Sequence, residues 1–327
     1  MKRKILIGLN RYDFDPSNNH VAENYLLEHG FELSFFEKEG DHMRKPEMIE
    51  RIGDADACIH YGYLDHDVLA AAKKLKIMTI MAVGFDTTDV AACKEHNVRV
   101  TIARCPEHAQ GVAEVAMTLM LASNYDVIKR HHETTAGHFH QYVGEQMYGK
   151  TLGIVGFGWI GQRLARLVMP YGMRVLAYDP YPNPQAAFAL DAEYVSLDEL
   201  LKESDFVSVH IPGTPENYHL FNDATFAKMK QGAQFINTSR GVNVDEDALY
   251  RALTSGHLKG AALDVMENEG EGKMHPLYQL ENFCVLPHTG GHNLRARNAM
   301  IMRCAKISWN FSKARSRRIN FGSRMEE

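Results

Sequence analysis

Arginine, glutamate and histidine side chains lie at the ends of three apolar segments in the second half of the chain. Arg240 stands in INTSRG, Glu269 in ALDVMENE and His288 in LPHTGG. A guanidinium offers a fixed fork of donors for a carboxylate and can polarise a neighbouring carbonyl. His288 can donate a proton to that carbonyl oxygen, and Glu269 beside it would keep the imidazole charged near neutral pH. The three residues therefore predict hydride reduction of a 2-keto acid that needs no metal ion.

A glycine pattern predicts where the hydride donor binds. Gly156, Gly158 and Gly161 form GxGxxG directly after the apolar run 152–155 and before a helical stretch that begins with Trp159 and Ile160. Gly156 permits the tight turn, Gly158 lets the backbone approach a pyrophosphate, and Gly161 lets helix and strand pack closely. The phosphates would then meet free N–H groups at the helix N-terminus, beside Trp159 and Ile160. The alternative is a turn that binds no ligand.

An acidic residue predicts the choice between the two dinucleotides. Asp179 ends the next apolar run, 18 residues beyond Gly161, and the sequence Pro-Tyr-Pro-Asn-Pro follows it. A carboxylate there accepts hydrogen bonds from the adenosine ribose and repels a 2′-phosphate, and no arginine follows to bind that phosphate. The pattern favours NAD over NADP, although Asp179 is also a residue type that is common in turns.

Short apolar runs alternate with helical stretches along the whole chain, which is typical of an α/β fold with parallel sheets. A first series predicts five strands, at 4–8, 32–36, 57–61, 77–81 and 99–102. A second series predicts six strands, at 151–156, 174–179, 206–211, 233–237, 260–265 and 283–287. Helices are expected between the strands, including 68–75, 109–132 and 294–311, the last followed by a basic tail.

The composition of the 327 residues excludes several classes of protein. A formal net charge of −5 argues against a general nucleic-acid binder, whose surface would be basic. The five cysteines have no CxxC spacing, so neither a disulfide framework nor a zinc site is expected. The apolar run after the first basic residues is too short for a signal peptide, and no run is long enough to span a membrane. We expect a soluble, cytoplasmic protein.

The motifs together resemble the D-isomer-specific 2-hydroxyacid dehydrogenase family. The resemblance rests on GIVGFGWIG, VHIPGTPEN, INTSRGVNVDEDAL, GAALDV and PHTGG, and it covers most of the chain. It implies an α/β fold of two Rossmann-like, doubly wound parallel-sheet domains with a cleft between them. A discontinuous, flavodoxin-like substrate-binding domain would comprise 1–106 and 292–327, and the NAD-binding domain would comprise 107–291.

The resemblance also assigns roles to individual residues. The family's catalytic set falls on Arg240, Glu269 and His288, and the acid that holds the nicotinamide amide falls on Asp264. Backbone N–H groups around Val83 and Gly84 would bind the substrate carboxylate. Further positions expected to line the cofactor are His210, Pro212, Thr238, Ser239 and Gly291.

The first domain carries hints about the substrate and the assembly. Relatives that act on phosphoglycerate usually have arginines near the positions of Tyr61 and Ile80, so a non-phosphorylated substrate is expected. An apolar substrate pocket, with the core as the alternative location, would be lined by Tyr61, Tyr63, Met81 and Phe85. The helix that contains Glu114 matches the family's interdomain helix, which predicts a homodimer.

Other functions stay open at this point. Corepressors of the C-terminal-binding-protein type keep the same catalytic trio, so an NADH-sensing interaction protein is the main alternative. Formate or phosphite oxidation is a third possibility within the family. The histidines at positions 131, 132, 138 and 140 have no metal-site spacing and are expected to lie on a solvated surface.

Overall fold

The computed structural model describes residues 2–37, 43–62, 64–269, 272 and 274–320, with the backbone alone for 315–320. The chain divides into two compact units, one of Met1–His108 with Leu294–Glu327 and one of Ala109–Asn293. These boundaries lie two residues from those expected from the sequence. Within the described residues, no helix is long and apolar enough to cross a membrane.

Each unit is built on one parallel sheet. The first sheet has the order β2-β1-β3-β4-β5, and the second has the order β12-β11-β10-β9-β6-β7-β8. The strands of the first are β1 (Arg3–Ile7), β2 (Phe31–Phe35), β3 (Ala57–His60), β4 (Ile77–Ile80) and β5 (Arg99–Ile102). Those of the second are β6 (Thr151–Val155), β7 (Arg174–Tyr178), β8 (Ala192–Tyr194), β9 (Phe206–Val209), β10 (Gln234–Asn237), β11 (Gly260–Leu263) and β12 (Phe283–Val285). The predicted α/β class with two parallel-sheet domains is confirmed.

Helices connect the strands in the described part of the chain. They are α1 (Arg11–Phe14), α2 (Val21–Glu28), α3 (Lys45–Arg51), α4 (His66–Ala71), α5 (Val90–Glu95), α6 (Pro106–Asn124), α7 (Val127–Thr135), α8 (Trp159–Val168), α9 (Pro184–Ala189), α10 (Leu197–Glu203), α11 (Asp223–Phe226), α12 (Glu246–Thr254) and α13 (Leu294–Asn320). Short 3-10 helices span Ile52–Asp54, Met169–Tyr171, Pro215–Asn217, Gly241–Asn243 and Pro276–Gln279.

Four sequence predictions about these elements were wrong in detail. The seventh strand of the second sheet, β8, was missed because it is a three-residue edge strand with no buried residue. The predicted helix 109–132 is two helices, since Asp126 adopts a left-handed conformation with φ 47° between α6 and α7. Helix α4 ends before the predicted residue 75, and α13 continues to Asn320 instead of ending at 311.

The seven-stranded sheet is buried on both faces, as a parallel sheet with helices on either side requires. Alternate residues of its strands enter two separate apolar clusters. Val155, Val209 and Phe235 belong to one cluster together with residues of α10 and α12. Ile154, Ala177 and Ile236 belong to the other, together with residues of α6 and α8. The sheet is thus held rigidly between two helical layers, which fixes the positions of the residues that follow each strand.

Candidate active site

The predicted site residues of the second unit follow the carboxyl ends of its strands. The pairing register places Val155 opposite Tyr178 and Val209, and Asn237 opposite Val209 and Leu263. Because the strands are parallel, the residues after them leave the sheet at one edge, where doubly wound folds bind their ligands. The residues in this row are Gly156, Asp179, His210, Thr238 and Asp264.

The glycine turn has the backbone geometry that its residues predict. Gly156 has φ +96°, and a Cβ atom on it would lie 2.7 Å from the carbonyl oxygen of His210. A Cβ on Gly161 would lie 2.4 Å from the carbonyl oxygen of Gly156, so the helix packs directly against the turn. A Cβ on Gly158 would meet nothing within 4 Å. Helix α8 begins immediately after this open position, which fits the pyrophosphate of a dinucleotide.

The Asp179 carboxylate is attached to the glycine turn. Its Oδ2 accepts a hydrogen bond of 2.9 Å from the Phe157 N–H, and its Oδ1 accepts one of 2.8 Å from the Tyr181 N–H. The first contact joins the end of β7 to the loop between β6 and α8. The acid is therefore held in a defined position beside the turn, as recognition of a ribose requires.

Two other predicted residues flank the turn on different sides. Trp159 is half-exposed and lies 5.9 Å below the Arg163 guanidinium, measured to the ring centroid. Ile160 packs instead against the apolar cluster beneath the sheet. Trp159 is thus the more accessible of the two side chains at the start of α8, and Ile160 is partly buried.

His210 is a neutral imidazole in this environment. Burial lowers its pKa to about 3. Its Nε2 lies 3.0 Å from the Ser208 hydroxyl, and its Nδ1 lies 3.3 Å from the Thr238 hydroxyl. The ring is fixed by residues from β9 and from the loop after β10, and it stays uncharged throughout the physiological pH range.

His288 and Glu269 form an acid–base pair. The Nδ1 of His288 lies 2.8 Å from Oε2 of Glu269, whose Oε1 accepts a 3.0 Å hydrogen bond from the Met266 N–H. The hydrogen bond to Glu269 raises the pKa of His288, and Asp264 raises it further, whereas burial and the charge of Arg240 lower it. Because Nδ1 faces the carboxylate, Nε2 is the ring atom that can exchange a proton with a substrate.

Asp264 fixes the loop that presents His288. Its buried carboxylate accepts hydrogen bonds from the Thr289 N–H at 2.7 Å, the Thr289 hydroxyl at 3.1 Å and the Gly290 N–H at 2.8 Å. The His288 N–H donates to the Asp264 carbonyl at 2.8 Å. These bonds hold His288 in a left-handed conformation, with φ 54°, that is uncommon for a residue with a side chain. The resemblance assigned Asp264 to the nicotinamide, and its observed partners lie in the His288 loop.

Arg240 is set by a network of buried side chains. The Asn237 amide donates to the Arg240 carbonyl at 2.9 Å, and its oxygen accepts from the N–H and the hydroxyl of Ser239. The Arg240 guanidinium donates to the Ser239 carbonyl at 2.7 Å. Asn243 donates to the Ser239 hydroxyl at 3.1 Å. The backbone around Arg240 is thus fixed by amide side chains that sequence analysis did not single out, because asparagine is frequent in ordinary turns.

The remaining cofactor positions frame the same edge. Thr238 and Ser239 are buried, and the Pro212 carbonyl accepts a 2.9 Å hydrogen bond from the Asn217 amide. Gly291 is half-buried in the turn that the His292 N–H closes by donating to the Thr289 carbonyl. All of these residues lie in the second unit.

The substrate residues expected in the first unit lie in different surroundings. Val83 and Gly84 are half-buried in the loop after β4, while Phe85 is half-exposed. Met81 belongs to the apolar core of this unit, and Tyr61 packs against the same core. Tyr63 lies outside the described residues. The described residues of the predicted apolar pocket are therefore divided between the core and the surface.

Tyr61 makes a polar contact that the sequence did not indicate. Its hydroxyl accepts a 2.9 Å hydrogen bond from Arg297, which also pairs with the Asp13 carboxylate at 2.8 Å. Burial raises the pKa of Tyr61 to about 12, so the phenol stays neutral. The charge of Arg297 near this position is balanced by Asp13.

The histidine-rich segment lies on the surface of the second unit. His131, His132, His138 and His140 are exposed, and the rings of the first two are 5.9 Å apart. Among the residues that the structure describes, no three histidine, cysteine or acidic side chains are grouped so that they could hold a metal ion.

Comparisons with known proteins agree with this geometry. The family described as D-isomer specific 2-hydroxyacid dehydrogenase, NAD binding domain, matches residues 117–290. A glyoxylate reductase of Korarchaeum cryptofilum is 38% identical over 288 residues, which make up 84% of this chain and 85% of the relative. A hydroxypyruvate reductase of Thermotoga maritima is 36% identical over 289 residues, 86% of this chain and 92% of the relative.

A solved structure extends the likeness to both units. The D-lactate dehydrogenase of Aquifex aeolicus, complexed with NAD and lactic acid, has a TM-score of 0.81 at 26% identity, over 97% of this chain and 98% of that one. The sequence matches cover most of the chain, and the family match covers more than half of it. The chain therefore belongs to the D-isomer specific 2-hydroxyacid dehydrogenase family, and residues 117–290 lie in its NAD-binding domain.

Proposed function

We propose that this protein uses NADH to reduce a small, non-phosphorylated 2-keto acid to the D-2-hydroxy acid, and that it also catalyses the reverse reaction. The observation that carries the proposal is the 2.8 Å contact between His288 and Glu269, in the electrostatic field of Arg240. A positioned acid next to a fixed cation is what carbonyl reduction requires. The relatives named glyoxylate reductase and hydroxypyruvate reductase support the same substrate class.

The second unit supplies the cofactor groups. In the proposed complex, the open turn at Gly158 and the start of α8 hold the pyrophosphate, and Asp179 accepts hydrogen bonds from the adenosine ribose. Trp159, Ile160, His210, Pro212, Thr238, Ser239, Asp264 and Gly291 line the rest of the site. When bound, the nicotinamide supplies the hydride in reduction or accepts it in oxidation.

The protein's own residues handle the proton and the carboxylate. The Arg240 guanidinium binds the substrate carboxylate and polarises the carbonyl, while Nε2 of His288 donates its proton to the carbonyl oxygen. Glu269 holds Nδ1 and stabilises the imidazolium before the transfer. In oxidation, the neutral imidazole accepts the hydroxyl proton. Val83 and Gly84, in the first unit, are proposed to contribute backbone N–H groups to the carboxylate.

The first unit supports a substrate without a phosphate group. Ile80 is buried in the core, and Tyr61 is engaged with Arg297. Because Arg297 is paired with Asp13, the charge of this arginine is not free to bind a phosphate ester. We therefore propose that this unit is the substrate-binding domain, and that it accepts 2-keto acids whose substituent is small and uncharged.

Turnover with purified protein tests the proposal directly. NADH oxidation is followed by absorbance with pyruvate, glyoxylate, hydroxypyruvate, phenylpyruvate, 2-ketoisocaproate, oxaloacetate and phosphohydroxypyruvate. We expect turnover of at least one non-phosphorylated acid and a lower kcat/KM for the phosphorylated one. His288→Ala should lower kcat by ~10²–10⁴-fold through loss of acid catalysis. Arg240→Ala should impair both kcat and KM.

The exposed His131 provides a matched histidine control, and His131→Ala should retain wild-type turnover. Near-wild-type rates in His288→Ala would contradict the assigned acid. Silence across the panel with NADH still bound would favour the NADH-sensing interaction protein.

Asp179 should set the preference for NADH. Asp179→Asn keeps an oxygen that can accept the Phe157 N–H but removes the charge that repels a 2′-phosphate, so the ratio of kcat/KM for NADH and NADPH should fall about tenfold or more. Asp179→Ala also removes the contact to the glycine turn and should raise KM for both dinucleotides. Equal kcat/KM for NADH and NADPH in the wild type would refute this role.

We also propose a homodimer formed through the second unit. The helix α6 exposes Glu114, and the segment after α7 exposes large apolar side chains, with Phe139 83% and Tyr148 77% accessible. Large apolar side chains that are exposed within one segment favour a protein–protein interface. Light scattering should give the mass of two chains, and Phe139→Asp should shift the equilibrium toward one.

A matched control lies elsewhere on the same unit. Phe188 in α9 is 91% exposed, and Phe188→Asp should leave the mass unchanged. A wild-type mass of one chain would exclude the dimer.

We infer a reducing compartment such as the cytoplasm for this protein. All five cysteines are free, and four of them are buried. Burial raises the pKa of Cys58 to about 12, which keeps this thiol protonated and unreactive. Disulfide formation in the native protein under mild oxidation would argue against this inference.

A further inference from the structure

A second carboxylate–imidazole pair lies next to the first in sequence. Glu267 and Glu269 both lie in the turn that begins after Met266. The Oε2 of Glu267 is 3.2 Å from Nε2 of His219, and both side chains are largely buried. The Tyr218 ring stacks on His219 with 3.9 Å between centroids. The turn that carries Glu269 is thus attached through Glu267 to the loop that follows β9.

The backbone of the same turn is held by another carboxylate. The Glu267 N–H donates a 2.7 Å hydrogen bond to Oε1 of Glu246, the first residue of α12. Burial raises the pKa of Glu246, while this N–H and the neighbouring His275 lower it. Glu267 and Asp247 are the acidic groups that face it. A half-buried carboxylate with a short bond to one backbone N–H acts as a clamp on that peptide.

The segment 240–246 contacts this peptide a second time. A Cβ atom on Gly241 would lie 2.0 Å from the Met266 carbonyl carbon and 2.3 Å from the Glu267 nitrogen. The backbone after Arg240 therefore rests directly on the Met266–Glu267 peptide. One short segment therefore begins with Arg240 and makes two contacts with the Glu269 turn. Gly241 contacts the Met266–Glu267 peptide, and Glu246 accepts the hydrogen bond from the Glu267 N–H.

We propose that Glu246 and the Glu267–His219 pair are positioning residues that fix the Glu269 turn, and through it the orientation of His288, relative to Arg240. This inference rests on the proposed function, since it assigns a purpose to the geometry of the acid–base pair. Glu269 reaches His288 from a turn in which its side chain also accepts a hydrogen bond from the Met266 N–H, three residues back. Glu246 and His219 contact this turn from other elements of the fold, at the Glu267 N–H and at the Glu267 carboxylate.

The expected consequence is a change in the titration of His288. The groups that face its imidazole are Glu269, Asp264 and Arg240, and the hydrogen bond to Glu269 is the strongest influence that raises its pKa. If the turn is released, this bond weakens while Arg240 still repels the imidazolium, so the pKa falls. Reduction needs the protonated form, and its rate is lost as the pH rises through this pKa. The descending limb of the pH–rate profile should therefore move to lower pH.

Glu246→Ala and Glu246→Gln form the central test. The alanine variant loses the acceptor for the Glu267 N–H, whereas glutamine keeps an oxygen at the same position. We expect Glu246→Ala to lower kcat about tenfold or more, as a misplaced catalytic group does, with KM and the Kd for NADH within about twofold of wild type. Glu246→Gln should restore most of the kcat. The pKa of His288, followed by NMR of the imidazole in protein without ligands, should fall in Glu246→Ala and recover in Glu246→Gln.

A second pair of variants tests the same role if Glu246→Ala does not fold. His219→Leu removes the imidazole that pairs with Glu267, which Tyr218 also contacts, and His219→Gln keeps an amide N–H that can replace it. The leucine variant should lower the pKa of His288 in the same direction, and the glutamine variant should not. Asp198→Asn is the matched control, because Asp198 in α10 is exposed, pairs with Lys228 at 2.8 Å and does not influence the pKa of Glu246 or His288.

The outcomes separate this inference from the function on which it rests. Glu269→Gln serves as the reference, because it removes the charge that pairs with His288. If it lowers the His288 pKa and turnover, while folded Glu246→Ala and His219→Leu keep wild-type profiles, the positioning role is refuted and the function stands. If Glu269→Gln itself keeps wild-type turnover, the proposed function fails.

Discussion

In a parallel sheet, every strand ends at the same edge, and the residue after each strand begins its loop from a position that the neighbouring strands determine. In the seven-stranded sheet of this protein, that edge carries a glycine after β6, an acid after β7, a histidine after β9, a threonine after β10 and an acid after β11. The register holds because alternate strand residues are buried in two opposite apolar clusters, and a shift by one residue would exchange their faces. The strand register therefore determines where the candidate site residues lie, whatever the chemistry of each side chain.

The electrostatics of the candidate site follow from charges that this edge brings together. Arg240 lowers the pKa of His288, whereas Glu269 and Asp264 raise it. The two acids act differently on His288. Asp264 is buried, and its carboxylate oxygens accept hydrogen bonds from the N–H groups of Thr289 and Gly290. Asp264 therefore fixes the backbone that presents the imidazole, and Glu269 controls its protonation.

The backbone geometry of the glycine turn could be predicted from sequence, because close contacts there exclude most residue types. Glycine is required at Gly156 and Gly161 because other backbone atoms lie where a Cβ atom would be. The strands were predictable for a similar reason, since continuous apolar runs bounded by polar residues leave few alternatives. β8 was missed because an edge strand of three residues buries no side chain and leaves no apolar run. Glu246, Glu267 and His219 could not be recognised, because their roles arise from loops that meet only in three dimensions.

The distinction between an enzyme and an NADH-binding interaction protein also depends on these loops. In the proposed function, the turn at Gly156–Gly161 and the acid at Asp179 bind the dinucleotide, and both kinds of protein would need them. Binding alone does not require a 2.8 Å acid–imidazole pair, an Arg240 backbone fixed by a buried amide, or a hydrogen bond from the turn of Glu269 to Glu246. Each of these features restricts the relative positions of reacting groups, and such restriction is the part of the structure that lowers a reaction barrier. The order imposed on Arg240, Glu269 and His288 is therefore the physical argument for catalysis, beyond the identity of the three residues.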